Sequence, residues 1–226
     1  MLQGLPGILN CAEMHFIAQP ILHRGGELFG HELLLRFKQY ADPQALLKIV
    51  KHLDLRHALD LQVCEMATAL TDFKQDTGCW LLNLYAESLP KADLQLALQA
   101  LAEKLKPAVL WLHVLELDQT QDMPHLRNAM RRLHDANIKF ALDIGDLEHP
   151  YSQFLPFDLL RMNVAEIQHP HWSQCLEEAK LRNIPLLAYR VENEAQVHAL
   201  SQQRIDYLQG YAVRDIITLE IPRYTV

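Results

Sequence analysis

The chain has 226 residues, half of them apolar, and a formal net charge of -7; this is enough apolar material for one domain with a substantial core, and no long Lys/Arg run supplies the basic footprint that duplex nucleic acid or an anionic membrane requires. Its four cysteines, Cys11, Cys64, Cys79 and Cys175, lie far apart without a C-x-x-C pair, which disfavours a zinc ribbon or a thioredoxin-type site and favours free thiols in a reducing compartment. The opening residues lack the basic and then apolar pattern of a leader, and no apolar run approaches the ~20 residues that span a bilayer, so the expectation is a soluble, cytoplasmic protein of one domain over 1–226.

Along the chain the first strand-like run is HFIAQPIL (15–22), separated from LFGHELLLRF (28–37) by a turn at Arg24-Gly25-Gly26. Strands joined by so short a turn must pair antiparallel, because parallel neighbours need a longer crossover. From Pro43 to Phe73 the positions Leu46, Leu47, Val50, Leu53, Leu59, Val63, Met66 and Leu70 keep the three-to-four spacing of an amphipathic helix, and Asp42 before Pro43 supplies a cap and a first-turn proline. Six further runs then follow: CWLLNLY (79–85), AVLWLHVLEL (108–117), IKFALDI (138–144), FDLLRMNV (157–164), IPLLAYRV (184–191) and DYLQGYAV (206–213). Helical patterns fall at Asp93 to Leu105, Met123 to Ala136 and Trp172 to Leu181.

Strands alternating with helices imply parallel pairing through right-handed crossovers, and about eight strands point to an α/β fold closed as a TIM-like (β/α)8 barrel with one antiparallel strand. An open doubly wound sheet is the alternative. In such a barrel the site lies at the carboxyl ends of the strands, and polar residues collect there: Glu32 and Arg36, Asn83, His113 and Glu116, Asp143, and Arg161 with Asn163. Recurrence on five strands favours a site over a set of solvated strand ends. His169-Pro170-His171-Trp172 reads instead as a turn before a helix, and neither a G-x-S-x-G elbow nor a Gly-rich phosphate loop is present.

The order Gln19-Pro20-Ile21, Gly30 to Arg36 (GHELLLR), Asn83-Leu84 with Leu89, Leu142-Asp143, Pro156 with Asp158 and Leu160, and Gln209-Gly210-Tyr211 resembles the EAL domain of bacterial cyclic di-GMP signalling over almost the whole chain. The resemblance implies a TIM-like barrel. In active members it implies hydrolysis of cyclic di-GMP to linear pGpG, with two Mg²⁺ or Mn²⁺ ions activating a water for in-line attack. Such ions need hard oxygen ligands. Glu32, Asn83 and Asp143 match three ligands of the first metal, and Gln19, Arg36, Asn83, Asp143 and Gln209 match positions around the nucleotide.

The remaining catalytic positions depart from the family. The name motif reads Glu32-Leu33-Leu34, and the first glutamate of the E-x-T-E segment aligns with His113. Glu116 has the opposite strand parity and reaches the site only through a slip or bulge. The paired aspartates read Asp143-Ile144, the lysine and aspartate of K-I-D become Arg161 and Asn163, and the glutamate of A-E-G-V-E aligns with Tyr189 and its glycine with Arg190, while its last glutamate survives as Glu192. The Gly-rich loop of the family is replaced by the shorter Gly145 to Pro150. No catalytic set is intact, and either no cofactor or one weakly bound Mg²⁺ or Mn²⁺ is expected.

Three readings follow. The first is a catalytically degenerate regulator acting through a protein partner, with a homodimer compatible. The second is a receptor that binds cyclic di-GMP without cleaving it, and the third an active phosphodiesterase whose altered metal set includes His113.

Overall fold

The computed structural model describes residues 14–38, 42–70, 78–167, 170–214 and 217–219. Strands β1 (Met14–His23) and β2 (Leu28–Phe37) form an antiparallel hairpin running from Met14 opposite Phe37 to Leu22 opposite Leu28, with one irregularity at Ile21/Leu22. The turn falls at the expected Arg24-Gly25-Gly26, with Gly26 at φ 96.

From β2 the sheet proceeds in parallel through β3 (Cys79–Tyr85), β4 (Val109–Leu115), β5 (Lys139–Asp143), β6 (Leu159–Asn163), β7 (Leu186–Tyr189) and β8 (Tyr207–Leu208). Strand β8 pairs with Leu22 and His23 of β1, which closes a ring of eight in which β1 runs antiparallel to both neighbours. A ninth strand, β9 (Ile217–Leu219), joins β1 at Phe16 to Ala18. Three residues are too short a run to register as a strand in the sequence.

Between the strands lie α1 (Pro43–His52), α2 (Arg56–Ala69), α3 (Ala92–Leu105), α4 (Met123–Asp135), α5 (Pro170–Arg182) and α6 (Glu194–Ser201). Helix α1 starts as expected, the Asp42 carboxylate accepting the Gln44 N–H at 2.9 Å with Pro43 in the first turn. The single helical pattern from Pro43 to Phe73 is, however, two helices, and Phe73 lies outside the described residues. The break is at Asp54, whose φ of 55 is left-handed, while the Leu53 N–H bonds back to the Ile49 carbonyl. Leu46 and Val50 before the break and Leu59, Val63 and Ala67 after it are all buried. With one apolar stripe and no Gly or Pro, the spacing carries no mark of the interruption. Among the described residues no helix is long and apolar enough to cross a membrane.

Alternate residues of each strand point into the barrel. Its floor is an aromatic plug, with Phe29 stacked on Tyr207 at 4.1 Å between centroids and edge-on to Trp111 at 5.8 Å. Above it sit Ile21, Leu81, Ala141, Leu159 and Leu187, all buried. The next layer towards the carboxyl ends of the strands is polar. The glycine of GHELLLR is a packing requirement, since a Cβ on Gly30 would stand 2.2 Å from the Cys79 carbonyl oxygen on β3. Asp158 of the P-x-D segment is also structural: it accepts from the Phe140 N–H at 3.0 Å and from Lys139 Nζ at 3.1 Å, and pairs with His134 at 3.1 Å, tying the start of β6 to β5.

Candidate functional site

Strand register delivers the polar layer. Gln19 stands opposite Glu32, Asn83 beside His113, and Asp143 beside Arg161, each pair on neighbouring strands. Adjacent strands are about 4.8 Å apart, so side chains from all these positions meet at the barrel mouth. They line a cleft of about 690 Å³ that also takes in Tyr189, Arg190, Gly210 and Tyr211.

Glu32 is the hub. It is 3% exposed, and its Oε1 accepts from Asn83 Nδ2 at 2.9 Å while Oε2 accepts from Gln209 Nε2 at 2.6 Å. The Gln209 amide also reaches Gln19 Oε1 at 3.3 Å. The Nη1 of Arg161 lies 3.3 Å from Glu32 Oε1 and 3.5 Å from Asn83 Oδ1, and its Nε lies 3.8 Å from Asp143 Oδ1. The same guanidinium rests over the Tyr189 ring at 4.9 Å, a cation–π contact strengthened by desolvation. His113, 5% exposed, places Nδ1 at 2.6 Å from Asn83 Oδ1 and Nε2 at 3.2 Å from Asp143 Oδ1. The second contact lies within ion-pair distance and is ionic only when the ring is protonated, and neither Asp143 Oδ1 nor Arg161 Nε has a hydrogen-bond partner of good geometry.

These contacts set the charges. Burial works to raise the Glu32 carboxyl, but Arg161, His113 and the two amide donors outweigh it and hold the group below the ordinary range. The same contest at Asp143, burial against His113 and Arg161, also ends below the usual value. His113 is pushed below its usual 6.5 by burial first and by Arg161 second, against the opposing pull of Asp143 and Glu32. Burial lifts the Tyr189 phenol to about 12, so the ring stays neutral.

The structure therefore brings together Glu32, Asn83, Asp143, Gln19 and Gln209 among the expected positions, with His113, Arg161 and Tyr189 from the substituted ones. Others stand apart. Arg36 lines the cleft but donates to the neighbouring Leu35 carbonyl at 2.9 Å rather than to the cluster. Asn163 is spent on a local turn, accepting the Ala165 N–H at 3.1 Å. Ile144 packs against the hydrophobic core. Glu116, at φ 54 just past β4, points to Lys51 at 2.9 Å and Arg56 at 3.2 Å, so it does not replace the missing acid. Within His169-Pro170-His171-Trp172, His169 and the His171 side chain lie outside the described residues.

Two acids escaped the sequence reading. Asp60 on α2 lines the cleft and accepts the Tyr85 N–H at 3.0 Å, and burial raises its carboxyl well above the normal range. An aspartate on the apolar stripe between Leu59 and Val63 was the available signal. Asp146 accepts the Asp143 N–H at 3.2 Å in a capping box, and burial with the Asp143 charge lifts it to about 7. The signal there was an acid three residues after Asp143.

A divalent metal needs free oxygen donors arranged around a vacant centre. Here both oxygens of Glu32 and the Asn83 oxygen are engaged, and a fixed cation stands between them and Asp143. Among the described residues no group of three or more His, Cys, Asp or Glu is placed to hold a metal ion. The residues present do not fit the metal pair of an active mouth.

Comparison with known proteins agrees with this architecture. A family model described as EAL domain matches residues 7–215. Cyclic di-GMP phosphodiesterase PdeF of Escherichia coli (strain K12) is 23% identical over 234 residues, covering 94% of this chain and 31% of that protein. The chain thus spans about a third of the length of this curated relative. Among solved structures, the PaMucR phosphodiesterase in complex with c-di-GMP superposes with a TM-score of 0.76 at 21% identity, covering 91% of this chain and 97% of that one. The FimX EAL domain from Pseudomonas aeruginosa bound to c-di-GMP gives 0.73 at 19% identity, with 93% and 95% covered. An EAL domain protein from Listeria monocytogenes EGD-e gives 0.71 at 17%, with 90% and 88% covered.

Proposed function

The chain belongs to the EAL domain family, and we propose that it serves bacterial cyclic di-GMP signalling as a regulator that does not hydrolyse the nucleotide and acts through a protein partner. The observation that carries this reading is the fate of the second acid. Two-metal hydrolysis needs a carboxylate beside Asp143 to hold the second ion and the attacking water. At that position the partly buried Ile144 packs against the core, and the next acid, Asp146, is folded back onto the Asp143 backbone N–H. Tyr189 stands where the family keeps a further glutamate, with its ring under Arg161. Of the other acids that line the cleft, Asp60 is spent on the Tyr85 N–H and Glu192 is exposed, so neither is assigned, in this reading, to a water held in line with a phosphorus atom.

Loss of the second ion alone removes several kcal/mol of transition-state stabilisation, and each ~1.4 kcal/mol is a factor of ten in rate. Incubation of the purified chain with cyclic di-GMP and Mg²⁺ or Mn²⁺, followed by product chromatography, tests the reading. No pGpG above background is expected, and turnover like that of intact EAL enzymes would overturn it.

A second reading, binding without cleavage, is favoured by the open rim. Arg190 and Tyr211 line the cleft and are exposed, Tyr211 at 68%. One cation for a phosphate and one ring for a base suit a purine nucleotide. Calorimetry with cyclic di-GMP, with and without Mn²⁺, separates the receptor from the purely protein-binding regulator.

A further inference from the structure

We propose that Arg161 takes the place of a divalent cation at this mouth, so that the acids matching the first metal site are held by an internal charge and removing that charge turns the cluster back into a metal site. The inference concerns the first-metal half of the mouth and rests on the reading of this mouth as one that no longer hydrolyses. It is tested by stability and metal uptake rather than by turnover.

The contacts argue for substitution and not mere proximity. Arg161 reaches each of the three residues that match metal ligands: Glu32 at 3.3 Å, Asn83 Oδ1 at 3.5 Å and Asp143 at 3.8 Å. The side chains of Arg161 and Glu32 are 6% and 4% exposed. A carboxylate so buried demands a compensating charge, and removing one partner of such a pair costs far more than the pair contributes net. Strand register explains why the guanidinium is available. Position 161 lies beside Asp143 on the next strand, and the ring of Tyr189 supports the guanidinium from the other face. A lysine there would bring a compact point charge without the rigid planar fork that spreads over separated oxygens while lying flat on a ring.

The chemistry of Glu32 sets the same requirement from the opposite side. Gln209 and Asn83 already donate to its two oxygens, so the carboxylate is hydrogen-bonded but still needs a cation. In the absence of Arg161, the nearest remedy is a hard divalent ion between Glu32 and Asp143, since a hydrogen-bonded carboxylate oxygen keeps a second lone pair, with Asn83 Oδ1 joining as a neutral ligand once the ion displaces His113 Nδ1 from it.

The test uses the full chain in three forms. The wild type should keep the same melting temperature in EDTA and in excess Mn²⁺, and should not alter the electron paramagnetic resonance signal of free Mn²⁺. Arg161→Met, which keeps the apolar stem, should melt about 10 °C lower in EDTA, recover in Mn²⁺, and take up one Mn²⁺ by the same signal. The double variant Glu32→Gln with Arg161→Met should regain most of the lost melting temperature without metal and bind no Mn²⁺. Gln209 can turn its amide towards the new side chain, since its Oε1 is buried without a partner.

Stoichiometric Mn²⁺ uptake by the wild type would overturn the inference. So would an Arg161→Met variant as stable as the wild type in EDTA, or one destabilised yet indifferent to Mn²⁺. If Arg161→Met does not accumulate in folded form, the double variant decides: a folded, metal-indifferent protein supports the charge substitution, and an unfolded one refutes it. Hydrolysis of cyclic di-GMP by the wild type would refute the proposed function and leave these measurements to decide Arg161 separately.

Discussion

The Nδ1 of His113 lies 2.6 Å from Oδ1 of Asn83, its register partner on the neighbouring strand. The Asn83 amide nitrogen is committed to Glu32, so the atom facing Nδ1 is an acceptor, and with Asp143 Oδ1 at 3.2 Å from Nε2 the ring has an acceptor at each nitrogen. Burial and Arg161 hold the ring below its ordinary value of 6.5. The unfolded chain therefore takes up a proton that the folded chain refuses. This contribution to stability is whole above about pH 6.5 and is lost as pH falls towards the folded value. Urea midpoints should decline from pH 7 to pH 5, with a term of at most ~1.4 kcal/mol per pH unit from this group. The same profile in His113→Asn should be flatter, and identical profiles would refute the assignment to His113.

On the proposed reading that the mouth does not hydrolyse, gaining hydrolysis should require more than the missing acids. Ile144→Asp alone leaves His113 and Tyr189 in place, and adding His113→Glu and Tyr189→Glu still leaves Arg161 bonded to the Glu32 side. Conversion of cyclic di-GMP to pGpG in Mn²⁺, read by chromatography, is expected above background only when Arg161→Lys joins the other three. Product from the triple variant would show that Arg161 does not bar the site.

Gly30→Ala should be among the most damaging single changes outside the mouth. Its Cβ would meet the Cys79 carbonyl oxygen at 2.2 Å and the Cys79 backbone nitrogen at 2.7 Å, and backbone atoms of a central strand cannot yield as a side-chain tip can. A loss of about 3 kcal/mol or more is expected, at the upper end of overpacking effects. Gly210→Ala should behave alike, since its Cβ would stand 2.1 Å from the Val191 carbonyl oxygen. Thermal melts within a few degrees of the wild type would contradict both.

Asp158→Ala should lower stability by about 2 to 3 kcal/mol, because it removes a charged acceptor from the Phe140 N–H and leaves Lys139 without its carboxylate. Asp158→Asn keeps one acceptor oxygen and should lose about half as much. Equal urea midpoints for the two variants would show that the backbone bond contributes nothing.

Periodicity and turn chemistry by themselves determined most of the fold. Eight alternating or apolar runs became the eight barrel strands because a period of two puts one face on the barrel interior and the other under helices. The short turn at Arg24 to Gly26 forced β1 to run against β2, and Asp42-Pro43 marked the start of α1. What the pattern could not show was the break at Asp54, where a left-handed residue interrupts a helix without changing its apolar stripe, nor β9, whose pairing with β1 depends on an edge created by the closed ring.

The site divides the same way. Residue types at strand ends were enough to assemble Glu32, Asn83, His113, Asp143 and Arg161 as candidates, since each strand delivers its last inward residue to one mouth. Which of them satisfies which was decided only in three dimensions. Arg161 is 18 residues from Asp143 and over a hundred from Glu32, yet strand register places it beside the first and barrel closure faces it towards the second. Glu116, closer in sequence to His113, is drawn away by Lys51 and Arg56 on the first two helices. Charge pairing inside a barrel is a property of the ring, and a linear chain specifies it only after the ring has closed.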